Sequence, residues 1–437
     1  MTYHCSAIVA PIQAVLIHHA EAAAHSCGFT QRRSKLSGAC FVQTLVLGWL
    51  HQPQATLVNL TQMAATVGVA VTPQGLHKRF TKTGAACLKA VLDATIEQVV
   101  ATEPVAIPLL RRFTAVLIQD SSVILLPSAL ATTWQGCGSA DPDRGAAAVK
   151  VQVRLDFLTG QLQGPLLQDG RVHDVRAPQE TRQMAKGALR LADLGYFNLD
   201  HLRAIADAEG YWLTRWQAGT VVCNEQGEAL DCIPWLNQCG GDVVDCSVRL
   251  GLAAQMPARL LAQRVPPAVA NERRRRLKAD AQRRGHAVSK VRLAAADWTL
   301  YLTNVPPEKM TIGEALLLGR VRWQIELLFK LWKSHGVIDE SRSTKPWRIL
   351  CEVYAKLIAM VLQHWILLTT CWEYPNRSLV KAAQTIRSYA MVLANALVGI
   401  GTLAEGLAQI HRCLAAGCRM NPRKRRPNAY QLLLAPP

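Results

Sequence analysis

Between Thr311 and Gly336 the chain reads as a helix with two unlike faces. Leu317, Val321, Ile325, Leu328, Phe329 and Trp332 recur at helical spacing and form a stripe to be buried. Gly319, Arg322, Glu326, Lys330 and Lys333 line a second stripe. Thr311 with Glu314 three residues on is a capping box, and Gly336 offers a left-handed C-cap, so one helix of about six turns is predicted. Taken alone, Glu326 is an ordinary surface carboxylate making i,i+4 pairs with Arg322 and Lys330. Elsewhere the pattern has the texture of strands: Ala115 to Gln119, Val123 to Leu126, Val149 to Phe157 and Leu189 to Ala192. Two of these runs stop at an acid, Asp120 and Asp193. A carboxylate just past a buried strand points into the crevice where α/β sheets hold ligands.

Residues 1–105 carry helical periodicity and few alternations. Within them LTQMAATVGVAVTPQGLHKRF predicts a helix ending near Gly68 and a second one with Thr72 as N-cap and Pro73 at its first position. The second helix would present Gln74, Lys78 and Arg79, which suits either a DNA-reading helix-turn-helix or a plain helical hairpin. Between Asp193 and Glu326 lie 132 residues, too many for one loop of a compact domain. They include the strand-like stretches YWLTRWQAGTVVC, GDVVDCSVRL and DWTLYLTNV. The window 264–292 holds ten cations, among them Arg273, Arg274, Arg275 and Arg276, against Glu272 and Asp280 alone. Such a run is either a solvated loop or a clamp on phosphates, or the first until it meets the second.

The chain has 437 residues, half of them hydrophobic, which excludes a disordered tail and allows several domains. A formal charge of +18 points to a polyanionic partner. Thirteen cysteines follow no framework, so reduced thiols in a cytoplasm are expected. Cys223, Cys232, Cys239 and Cys246 lack the paired knuckle of a structural zinc site. The apolar run Leu357 to Cys371 is interrupted by Gln363 and His364 and is read as too short for a membrane span. A basic end follows at Arg412, Arg419 and Arg423 to Arg426.

Asp120 in QDSS, Asp193 in ADLGYF and Glu326 within Arg-x3-Glu-x6-Lys resemble the Asp-Asp-Glu triad of DDE transposases of bacterial insertion sequences. More narrowly, the chain resembles insertion-sequence family four, with its signature Tyr-x2-Arg-x3-Glu-x6-Lys. Arg322, Glu326 and Lys333 match, while Gly319 stands at the tyrosine, a position the family gives to a DNA-backbone contact. The likeness runs from about residue 45 to 370. It implies an α/β fold: a ribonuclease-H-like core interrupted by a β-strand insertion and flanked by helical regions. On that reading 1–105 is a helical DNA-binding domain, 106–205 the first part of the core and 206–304 the insertion. Residues 305–350 complete the core, and 351–437 form a helical C-terminal region with a basic tail.

Three hard carboxylates suit two Mg²⁺ ions, with Mn²⁺ able to substitute, and two ions about 3.5 to 4 Å apart are what phosphodiester chemistry asks for. Asp120 would bridge both, with Asp193 and Glu326 on one each. Arg322, Lys333, Lys330, Arg215 and Arg273 to Arg276 are the expected phosphate contacts. The expected partner is double-stranded DNA, as terminal inverted repeats and as target, acted on in the bacterial cytoplasm by a homodimer pairing two ends. Three readings stay open: a cut-and-paste transposase working through a hairpin, a nuclease that stops at hydrolysis, and an idle DNA-binding relative. The resembled family carries a tryptophan where this chain has Trp298, which is expected either to receive a flipped base or to pack the insertion's core.

Overall fold

In the computed structural model, residues 7–32, 34–100, 102–138, 145–178, 184–374, 376–422 and 429–435 are described. The basic stretch Arg423 to Arg426 lies outside them. The chain is a mixed α/β protein that divides into two units. The first comprises Met1–Ile107, Asp120–Val172 and Gln324–Leu434, and the second Pro108–Gln119 with His173–Trp323 and the last residues. Two of the divisions fall inside elements, one within strand β1 (Val116–Leu126) and one at the start of the helix Trp323–Ser334.

The first unit is built on the helix Pro346–Cys371, opened by a proline at N1. From Ile349 to Cys371 every side chain is buried, against the helices Gly38–His51 and Lys82–Ile96 among others. At 26 residues this helix exceeds the run expected from the sequence, and by length and hydropathy alone it would cross a bilayer. Here protein covers it, and several of the polar groups inside it are tied to named partners. Lys356 pairs with Glu352 at 2.7 Å and donates to Val337 O and Glu340 O, fixing the chain just after the helix that bears Glu326. His364 Nε2 donates to Gly160 O, on the turn between β2 (Ala147–Asp156) and β3 (Leu162–Asp169). Gly160 has φ +81, and a Cβ there would sit 2.4 Å from Trp372, so only glycine lets the turn close against the indole. In this unit the strand order is β3-β2-β1.

The second unit continues from β1 through β4 (Leu189–Ala192), β5 (Tyr211–Arg215), β6 (Val222–Cys223), β7 (Ala229–Leu230), β8 (Val243–Leu250), β9 (Met256–Arg264) and β10 (Trp298–Thr303). Their spatial order is β1-β4-β5-β10-β9-β8-β6-β7. β1, β4 and β5 run parallel and the rest pair antiparallel. Along β10 the alternation is clean: Trp298, Leu300 and Leu302 enter a core with Trp212, Leu260 and Ala262, while Thr299 and Tyr301 face the other side.

Several local expectations are revised. β1 does not stop at Asp120 but absorbs both predicted runs, placing Asp120 within an eleven-residue strand. The predicted six-turn helix is two, Ile312–Val321 and Trp323–Ser334, parted at Arg322. Its left-handed residue is Val337 (φ 50) and not Gly336, whose lack of a side chain instead admits Met360. The arginine run 273–276 lies in the helix Pro267–Arg283 and not in a loop.

Candidate functional site

The parallel ladder of the second unit ends at the pair Gln119 and Ala192, and on each strand the next residue is an aspartate. Asp193 stands at the start of the short turn Leu194–Tyr196 without a side-chain capping bond, is exposed, and lies 3.9 Å from Arg322 Nη2. Asp120, half-buried, accepts Ser121 N–H at 2.8 Å. Glu326 occupies the first turn of its own helix because of the break at Arg322, a position that favours negative charge. Within the first unit Lys333, two turns on, donates to Val123 O at 3.1 Å and lies 3.7 Å from Asp339. The glutamate helix is thereby held against the far half of β1, three residues beyond Asp120. Lys330 is exposed.

The preceding helix is fixed within the second unit. Glu314 closes the predicted capping box with Thr311 and also grips Arg112 at 2.7 and 2.8 Å, four residues ahead of β1. Burial works against its charge, yet Arg112 and Thr311 hold its carboxyl below the ordinary range. Carboxylate oxygens are the right donors for a hard divalent ion. Among the described residues, however, no three His, Cys, Asp or Glu side chains gather closely enough to hold one.

The cations expected to meet DNA separate into two kinds. Arg273 donates to Trp298 O and Thr299 Oγ1, and Arg274 to Leu293 O and Asp297, so both knit the helix Pro267–Arg283 to its surroundings. Arg275 and Arg276 project into solvent, sharing Glu272 at 2.7 and 2.8 Å. In the first unit the predicted helix pair exists as Leu57–Thr66 and Pro73–His77, with the expected Thr72 cap and Pro73 at the start of the second helix, but that second member is five residues long. Gln74 and Lys78 are exposed. Arg79 stacks on Phe29 at 3.9 Å and donates to its carbonyl, and burial lowers its pKa.

Trp298 is 2% exposed, lies under Arg264 at 4.3 Å and donates to Asn237. That is the position the core-packing alternative expects. Arg215 is exposed at the end of β5, directly across from Tyr301. Sequence reading passed over Tyr301, although its alternation with Trp298, Leu300 and Leu302 already placed it off the core face. A Cβ at Gly319 would lie 2.1 Å from the Tyr301 hydroxyl, so the phenol fills the space beside the signature's missing side chain. The four cysteines 223, 232, 239 and 246 are free thiols, and burial pushes Cys232 up to about 12 and Cys246 to about 11.

Comparison with known proteins gives these features a context. A profile of the transposase DDE domain matches residues 111–362. The transposase for insertion sequence element IS231F from Bacillus thuringiensis subsp. israelensis is 28% identical over 365 residues, 78% of this chain and 76% of that protein. The transposase for IS1151 from Clostridium perfringens is 23% identical, covering 78% and 76%. The putative transposase InsL for IS186A from Escherichia coli K12 is 28% identical over 256 residues, 56% of this chain and 67% of that one.

Proposed function

Because the chain belongs to the DDE transposase family and is an enzyme of that kind, we propose that it is a cut-and-paste transposase of family-four type. It binds the terminal inverted repeats of its own insertion sequence as a dimer, cleaves there through a hairpin and joins the ends to target DNA. What carries the reading is Asp193: it follows the last paired residue of β4 at the carboxyl end of a parallel ladder and faces Arg322, four residues ahead of Glu326. Asp120 and Glu326 are the other two carboxylates of the set, within a ribonuclease-H-like core interrupted by the insertion 206–304.

Divalent ions belong to the chemistry of this family, and Mg²⁺ bound by these three carboxylates would activate the attacking hydroxyl and stabilise the leaving oxygen. The protein's own share is placement. Arg322 and Lys333 hold DNA phosphates and neutralise their charge, Arg322 with a planar fork that fits two phosphate oxygens. Arg275, Arg276 and Lys78 supply charge without reading sequence.

Asp120→Asn, Asp193→Asn and Glu326→Gln test the assignment on duplexes taken from the DNA flanking the coding region. Each variant is expected to lose strand cleavage while gel-shift affinity stays near wild type, since an amide keeps the shape and loses the charge. Cleavage at the wild-type rate by any one of them removes that residue from the triad.

A further inference from the structure

We propose that the Tyr301 hydroxyl, together with Arg215 and Arg273, forms a phosphate-binding site for the DNA backbone on the face of β10 opposite its core. The proposal rests on the transposase reading and adds to it a residue and a place.

Four observations lead there, all within the second unit. Tyr301 and Arg215 are directly opposed in the β5–β10 ladder, so their side chains leave the same face of the sheet. Arg273 reaches that face from the helix Pro267–Arg283, fixed by its bonds to Trp298 O and Thr299 Oγ1, with further N–H groups to spare. The remaining arginines of the run each have a carboxylate: Arg274 has Asp297, and Arg275 and Arg276 share Glu272. Among the described residues Arg273 and Arg215 are paired with none, and the Tyr301 hydroxyl makes no hydrogen bond. Two neighbouring guanidinium groups without an intervening acid repel each other. Burial first, then the charge of Arg215, lowers the pKa of Arg273. An oxyanion between them would remove that conflict.

Gly319 explains why the phenol stands there. A side chain at 319 would collide with the ring, and its absence leaves the tyrosine seated beside the helix that carries Arg322 one turn later. Arg215 is exposed, Arg273 half-buried and Tyr301 6% exposed, so a phosphate diester of a DNA backbone would meet Arg215 first and the phenol at the floor of the site. A neutral O–H and two guanidinium groups meeting one charged oxygen pair is also how backbone contacts are commonly made.

The test uses the full-length protein and a random-sequence duplex, since the contact reads no bases, with Tyr301→Phe and Arg215→Ala measured by titration at several salt concentrations. Tyr301→Phe keeps the ring against Gly319, so its melting temperature should match wild type. Its affinity should fall about tenfold, the scale of one hydrogen bond to a charged group. The slope of log K against log salt should not change, because a neutral donor releases no counterion. Arg215→Ala should also weaken binding, with the slope reduced by about 0.9. Wild-type affinity in Tyr301→Phe, or an unchanged slope in Arg215→Ala, overturns the site while leaving the transposase reading standing. Failure of the wild-type protein to bind any duplex at low salt overturns both.

Discussion

The helix Trp323–Ser334 and the helix Pro267–Arg283 use charge in opposite ways. The first carries one carboxylate and two lysines, of which Lys333 is held by Val123 O and Asp339 while Lys330 is exposed. The second is crowded with arginines: Arg273 and Arg274 are committed to packing, while Arg275, Arg276 and Arg283 stand in solvent. Charge density along a sequence therefore says little about which charges remain for a ligand. Availability is set by what the neighbouring elements offer. A sparse helix can be held closely in place, and a dense one can owe its position to the very residues that seem spare.

The largest effect that bears on this contrast lies behind the glutamate helix. Lys356 and Glu352, both buried, hold residues 337–341 in place, with Ser341 donating to Glu352 at 2.7 Å. Removing one partner strands the other charge, so Lys356→Ala should cost about 3 to 5 kcal/mol by denaturant titration. A replacement of both by apolar residues of similar size should recover much of that loss. If Lys356→Ala melts like wild type, the glutamate helix is not secured in this way.

Next in size is a pH effect on the same unit. Burial lowers His364 to about 4, and it is neutral against Gly160 O. Because the folded value lies below the unfolded one, the contribution is complete above about 6.5 and is lost as pH falls toward about 4. Stability should drop by about 1.4 kcal/mol per pH unit across that window, and His364→Gln should flatten the drop. A wild-type profile already flat there would show that His364 is not buried neutral.

The arginine helix gives smaller and more selective outcomes. Arg274→Ala, losing Asp297 and Leu293 O, should lower stability by about 1 to 2 kcal/mol. Arg275→Ala and Arg276→Ala should leave melting unchanged and reduce the salt slope of duplex binding by at most about 0.9 each. The same division holds in the first unit: Arg79→Ala should affect melting, and Lys78→Ala only binding. A melting loss in Arg275→Ala equal to that in Arg274→Ala would erase the distinction between the two kinds of arginine.

Much of this was readable in one dimension because it depends on neighbours in sequence. The capping box at Thr311, the cap at Thr72 and the mixed α/β texture follow from residues a turn apart. The misreadings share a different cause. Gly336 looked like a helix cap, but the contact with Met360 is what requires it to be small, and Val337 takes the left-handed turn. Asp120 looked like the end of a strand because the apolar run stops, whereas strand pairing continues through polar residues. Arg79 looked available because Phe29, fifty residues away, gives no local sign. Trp298 and Tyr301 were distinguishable in principle by alternation alone, and only the cross-strand partners reveal what each face meets.

The central claim is that Asp193 contributes directly to holding the ions that drive strand cleavage. Asp193→Cys tests this most directly, because a thiolate binds Mg²⁺ poorly and accepts a softer ion more readily. End cleavage by this variant should be absent with Mg²⁺ and should return in part when Mn²⁺ is supplied, with duplex binding equal to wild type in both. Cleavage at the wild-type rate with Mg²⁺ alone would contradict the claim.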